Sequence, residues 1–183
     1  MADLLQRARD LGPTLAERSE RIEAHRTLPD DVVADLTDAG LFRLLTPADL
    51  GGPELDVATA IDVIAEVSRH DGAAGWCVMI AGTTSLQAGF LPLDVATLIF
   101  GPADSCVGGY AAPVGRAVAV DGGLRVTGTW AWGSGTHHCT WIGGGARIVD
   151  SAGTPTKRDD GLFAPFVFFD PDDVEHLDTW HVT

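Results

Sequence analysis

The spacing of apolar residues and the distribution of glycine change together near residue 100, so no single regular architecture accommodates the whole chain. Eight of the 22 glycines fall in residues 1–100, and 14 fall in the remaining 83. Before the change the apolar positions step by three and four. Leu4, Ala8, Leu11, Leu15, Arg18 and Ile22 form one helical stripe. A second helix is expected to open at Pro29, with Asp30 and Asp31 in its first turn, and to stop at Gly40. The following LFRLLTPADLGG reads as an irregular connector. A third helix is predicted from about Asp56 to Arg69, with Val57, Ile61, Ile64, Ala65 and Ser68 on one face. A fourth follows the cap residue Asp71 and aligns Trp76, Ile80 and Thr84, and a short fifth follows Pro92.

After Pro102 the pattern becomes one of short β-type runs: SCVGGYAA, VGRAVAV, LRVTGTWAW, TWIGGGARIV and LFAPFVFF. Asp121-Gly122-Gly123 is a hairpin turn, and residues 151–161 form a polar loop. The expected fold class is therefore α+β, with an all-helical N-terminal domain over 1–101 and an antiparallel β-barrel or sandwich domain over 102–183. The chain stops at Asp178-Thr-Trp-His-Val-Thr183 with no terminal helix, so the second domain is expected to be incomplete at its C-terminal end.

Charge narrows the partners. Seven cations oppose 16 anions in residues 1–100 and five oppose ten in the rest, for a formal net charge of −14. Nucleic acid and anionic membrane surfaces both call for clustered cations, so neither is an expected partner. Cys77, Cys106 and Cys139 are odd in number and form no C-x-x-C pair, which fits reduced thiols in a cytoplasmic protein. The N-terminal MADLLQRARDL has no secretory h-region, and runs such as WCVMIA are too short to span a bilayer.

The strong catalytic motifs are missing. There is no G-x-G-x-x-G after a strand, no Walker loop and no H-E-x-x-H. Ser134 in WGSGT is not a nucleophile elbow. On a strand, His137 and Cys139 would share a face, but two ligands are too few for an ion, so no metal site is expected. Aromatic and glycine clustering says more. Trp130, Trp132 and Trp141 crowd a stretch that also holds Gly133, Ser134 and Gly135, with Trp130 and Trp132 expected on one strand face. The preceding run adds Gly108, Gly109, Tyr110, Ala111 and Ala112. An aromatic wall, bare backbone and one hydroxyl suit a flat polycyclic ligand; a sandwich core that happens to use tryptophan is the plainer alternative.

The order of these pieces resembles the acyl-CoA dehydrogenase superfamily of flavoproteins. The likeness is carried by LLTPADLGGPELD, by Glu66-Val-Ser-Arg-His-Asp-Gly-Ala-Ala-Gly-Trp76, by Tyr110-Ala-Ala-Pro-Val-Gly115 and by Gly128-Thr-Trp-Ala-Trp-Gly-Ser-Gly135. The resemblance implies FAD or FMN as cofactor, with Trp132 beside the isoalloxazine, Ser134 near flavin N5 as the catalytic hydroxyl, and Gly133 between them. It places Tyr110, Ala111, Ala112 and Val114 along the pyrimidine side of the ring. Trp76, Thr84 and Gly109 would face substrate. Dehydrogenases of the superfamily carry Thr-Glu and Gly-Ser-Asp in the turn that here reads AAPVGRA. That string is more similar to the two-component flavin-dependent monooxygenases, which take reduced flavin from a separate reductase and use O2 to hydroxylate a small organic substrate. An FAD-dependent acyl-CoA dehydrogenase or oxidase is the alternative enzyme. A non-catalytic assembly module or truncated fragment is the alternative of another class. Two positions depart from the phenol hydroxylases of the branch: Thr84 stands where they tend to carry a substrate-contacting His, and Gly109 where they tend to carry a Ser. The resemblance further implies a C-terminal four-helix bundle that covers the flavin, carries the catalytic base and builds a homotetramer.

Overall fold

A computed structural model describes residues 4–157, 161 and 164–179. Five helices precede a four-stranded sheet. The helices are α1 (Leu4–His25), α2 (Asp30–Asp38), α3 (Val57–His70), α4 (Gly72–Thr84) and α5 (Leu93–Phe100). The strands are β1 (Val107–Val120), β2 (Gly123–Thr127), β3 (Trp141–Ile148) and β4 (Phe166–Phe169), in spatial order β2-β1-β3-β4.

The helices follow their sequence signals at the ends. Asp56 accepts from the Thr59 N–H and Asp71 from the Ala74 N–H, which satisfies one free donor at the start of α3 and of α4. Gly40 closes the α2 segment at φ 76°, a left-handed conformation that glycine adopts without steric cost. The stripe on α1 buries Leu4, Ala8, Leu15 and Ile22. It packs on α3, and Gly12 allows the close approach: a side chain there would collide with His70.

Two expectations for this half are corrected. The face of α3 that enters the core is Ala60, Val63 and Val67, whereas Val57 and Ile61 are exposed. Two stripes on α3 are apolar, and packing selects the smaller side chains because α1 and α4 approach closely there. The segment LFRLLTPADLGG is no mere connector. It forms two 3-10 turns and buries Leu41, Phe42, Leu44, Leu45, Thr46 and Leu50. Arg43 of this segment donates to the carbonyls of Leu50 and Phe100, which holds the turn against α5.

In the sheet, Asp121 and Gly122 make the expected two-residue hairpin between β1 and β2, and β3 pairs antiparallel with β4. The central β1–β3 pairing is parallel. SCVGGYAA and VGRAVAV form one strand, and LRVTGTWAW stays extended only to Thr127. Of LFAPFVFF, residues 166–169 are strand, and Leu162 and Phe163 lie outside the described residues, as do Trp180 to Thr183.

The core ignores the change of architecture. Cys106, Cys139 and Ile142 from the sheet half belong to the same buried cluster as the α1–α4 side chains. A second cluster joins Phe100 and Ile99 of α5 to Val107 of β1, and a third, of Ala117, Ala146 and Ile148, lies within the sheet. The chain also returns to its start. Asp178 accepts from Arg26 at 2.8 Å, and His176 stacks on His137 with ring centres 4.3 Å apart.

Candidate functional site

The site is built where the β1–β3 ladder breaks. Tyr110 is registered with Gly144 and Gly115 with Ala146, so five steps along β1 correspond to two along β3. Ala111, Ala112, Pro113 and Val114 therefore have no register partner on either neighbouring strand, and all four are exposed. They arch over Gly145, where a side chain would run into the carbonyls of Ala111 and Ala112. Pro113 cannot donate to a ladder, which favours a break at this point. Bulges of this kind turn backbone groups away from the sheet and gather beside binding sites. Sequence reasoning missed the bulge; a proline inside an apparent strand was the available signal.

The second wall is the segment from Gly128 to Gly135, which is loop and not strand. The expectation that Trp130 and Trp132 share a strand face is therefore overturned. Trp130 folds inward: its Nε1 donates to the Gly145 carbonyl at 2.9 Å, and its ring stacks on Tyr110 and tilts against Phe169. Trp132 adopts φ 70° and stands 74% exposed. A left-handed residue cannot continue a strand, so two tryptophans two positions apart part company. Gly133 packs directly beneath the Tyr110 ring, and a side chain there would displace it. The rings of Tyr110 and Trp130 thus clamp the bulge to this loop.

The two positions beyond Trp132 matter for chemistry. Ser134 is half-buried, its N–H donates to the Trp132 carbonyl, and its hydroxyl makes no hydrogen bond among the described residues. Thr136 and Thr84, by contrast, commit their hydroxyl protons to the carbonyls of Gly133 and Ile80. Ser134 keeps both donor and acceptor capacity for a ligand, whereas Thr84 offers acceptor capacity only.

Helix α4 supplies the third side. Ile80 packs on Gly108 of β1, and Cys77 lies beside Gly135. Trp76 (54% exposed) and Thr84 (half-buried) flank Ile80 on that helix face, so the structure brings both toward the loop. Gly109 is set at φ 151°, and a side chain there would strike the Gly143 carbonyl. A serine at this position would require β1 and β3 to move apart, so Gly109 contributes closeness of strands and no polar group.

The His137-His138-Cys139 triplet lies on a 3-10 turn over Thr136–His138, and not on a strand as expected. The turn starts at Gly135, whose φ of 73° bends the chain out of the extended conformation. His138 packs on Phe42, and burial, with a further contribution from His137, pushes its pKa down to about 4. His137 is lowered by burial and by His176. All three cysteines are free. Burial pushes the Cys77 thiol up to about 12, and a hydrogen bond with Cys139 together with burial raises Cys106 well above its ordinary range. Thiols held in the protonated form are poor nucleophiles and metal ligands. Among the described residues, no group of three or more His, Cys, Asp or Glu side chains is arranged to hold a metal ion, and no helix is long and apolar enough to cross a membrane.

Known proteins share this fold. Residues 4–92 match the acyl-CoA dehydrogenase N-terminal domain. The chain is similar to a pigment production hydroxylase of Rhodococcus sp., 31% identical over 182 residues, covering 98% of this chain and 45% of that protein. It is also 31% identical over 181 residues to the oxygenase subunit HsaA of a flavin-dependent monooxygenase from Rhodococcus jostii, covering 97% and 45%. Among solved structures, XiaF from Streptomyces sp. in complex with FADH2 and glycerol superposes with a TM-score of 0.91 at 30% identity, over 100% of this chain and 45% of that one. The 3-HSA hydroxylase from Rhodococcus sp. RHA1 gives 0.88 at 29%, over 100% and 47%. The chain thus spans a little under half the length of the relatives it matches.

Proposed function

The chain belongs to the acyl-CoA dehydrogenase superfamily, and from that premise we propose that it forms part of the oxygenase component of a two-component flavin-dependent monooxygenase. The observation that carries this reading is the loop of exposed Trp132 and uncommitted Ser134, packed through Gly133 against Tyr110 where the Ala111–Val114 bulge leaves the ladder register. These are an edge, a face and a hydrogen-bonding point for a flat, heteroatom-rich ring. The similarity to oxygenase components over nearly the whole chain supports the same assignment.

Reduced flavin would supply electrons and activate O2 at this place. The chain's own residues would bind and orient it: Tyr110, Ala111, Ala112 and Val114 along the pyrimidine edge, Trp132 and Gly133 along the ring, and Ser134 as the donor toward N5. A fixed donor in a water-poor site opposes the wasteful release of hydrogen peroxide. Trp76, Thr84 and Gly109 border the adjacent space, where a small organic substrate would sit. Because Thr84 can only accept, that substrate would present a donor to it. A separate flavin reductase, a homotetrameric whole protein and a cytoplasmic setting complete the reading. FADH2 is favoured over reduced FMN by the XiaF complex.

Ser134→Ala tests the central role without knowledge of the substrate. The protein is mixed with reduced flavin and then with O2, and hydrogen peroxide is followed with time. Wild type should release it more slowly than free reduced flavin, and the variant about tenfold faster than wild type, as expected for the loss of one hydrogen bond of about 1.4 kcal/mol. An unchanged rate removes Ser134 from the mechanism.

A further inference from the structure

The bulge that offers Ala111–Val114 to a ring also opens a second feature at its far end. Val114, Arg116, Arg147 and Gly153 are among the residues that line an open cavity of about 410 Å³. Arg116 and Arg147 are register partners on the parallel strands β1 and β3, so both point to the face opposite buried Ala117, Ala146 and Ile148. Like charges directly across a ladder are unfavourable. The chain holds this pair together although it carries 26 acidic residues against 12 basic ones. Arg18, Arg21, Arg26 and Arg69 each meet a carboxylate, whereas the side chains of Arg116 and Arg147 have no ion pair or hydrogen bond among the described residues. The acid of the neighbouring turn, Asp150, spends its Oδ1 on the N–H groups of Ala152 and Thr154. Gly153, at φ 87°, lets that turn lie flat against the Arg116 guanidinium, where any side chain would collide with it.

We propose that Arg116 and Arg147 form an oxyanion-binding subsite that takes the phosphate or carboxylate of a bound small molecule. Two guanidinium groups on one face of a rigid ladder match an oxyanion with parallel N–H donors, and a shared anion relieves their mutual repulsion. The cavity has room for an anionic group together with part of the molecule that carries it. Arg116 lies four residues beyond Ala112, at most roughly 13 Å along an extended strand, so the anion can belong to the flavin itself or to a separate ligand. The subsite stands on the arginine geometry and does not depend on the flavin reading.

Titration of the full chain with inorganic phosphate at constant ionic strength tests it. Binding is read from the arginine Nε–H resonances in 15N spectra and by calorimetry. Saturable shifts of two arginine resonances are expected. Arg116→Gln/Arg147→Gln should weaken phosphate binding by about tenfold or more, with Arg125→Gln, which lies off the cavity, unchanged. A comparison of FMN with riboflavin then separates the two sources. If phosphate competes with FMN but not with riboflavin, the anion is the flavin's own; if phosphate binds without affecting FMN, it belongs to another ligand. Either result supports the subsite, and a chain that binds phosphate but no flavin would overturn the flavin reading alone. Shifts no larger than those produced by matched sodium chloride, or equal phosphate affinity in the double variant, overturn the subsite.

Discussion

The helical half and the sheet half differ in how regularly their elements pair. The helical half builds the larger buried cluster: Leu15, Leu36, Leu41 and Leu44 are almost wholly buried, and even the segment between α2 and α3 is core, while Val57, Phe90 and Leu93 stay exposed. In the sheet half a strand abandons its partner for four residues and a tryptophan stands out in solvent. The first half obtains stability from burial. The second interrupts its ladder register, and bulges of this kind gather beside binding sites.

That contrast can be broken by mutation. Leu44→Ala should cost about 2–5 kcal/mol and lower Tm by many degrees, because Leu44 is fully buried and packs against Gly82 of α4. A loss below 1 kcal/mol in denaturant melts would mean that the 41–52 segment is not core.

The next effect is set by pH at the seam between the halves. His138 titrates near 4 in the fold and near 6.5 when unfolded, so the fold favours its neutral form. The unfolded chain then binds more protons, and stability falls with falling pH. The contribution is complete above about pH 6.5 and is lost as pH drops through about 4, a change of about 3 kcal/mol at most. Denaturant melts at pH 7, 5.5 and 4.5 should show that slope flattened in His138→Gln. An equal slope in the variant would assign it to other groups.

Smaller still is the cap of α4. Asp71 accepts from the Ala74 N–H and from Ser19 of α1, so Asp71→Ala should cost about 1–2 kcal/mol. The smallest stability effect should come from Trp132→Ala, within about 0.5 kcal/mol, while flavin affinity falls about tenfold or more through lost stacking. A variant that loses stability but keeps its flavin affinity would reverse the contrast between the halves.

How far each half could be read from residues follows the same division. Helix ends are local events, and Pro29, Asp56, Asp71 and Pro92 announced theirs, because capping depends on the next three residues alone. The buried face of α3 was not legible, since Val57, Ile61 and Ile64 make as good a stripe as Ala60, Val63 and Val67 until the neighbours are known. In the sheet half the hairpin at Asp121-Gly122 was local and plain. The parallel β1–β3 pairing was not, being a contact between distant segments. The candidate site is legible only through resemblance, since no periodicity or spacing marks it. The loop that carries Ser134 meets β1 at Gly108 and Tyr110, but Trp130 folds inward and Trp132 stays exposed because of a single backbone angle at Trp132 that no periodicity reveals.

The central claim is that this irregular half is shaped for a reduced flavin ring. It is tested most directly by anaerobic titration of the protein with reduced and with oxidised flavin, followed by absorbance and tryptophan fluorescence. The account predicts saturable binding, tighter for the reduced form, that weakens in Trp132→Ala. Failure of the full-length protein to bind either form would contradict it.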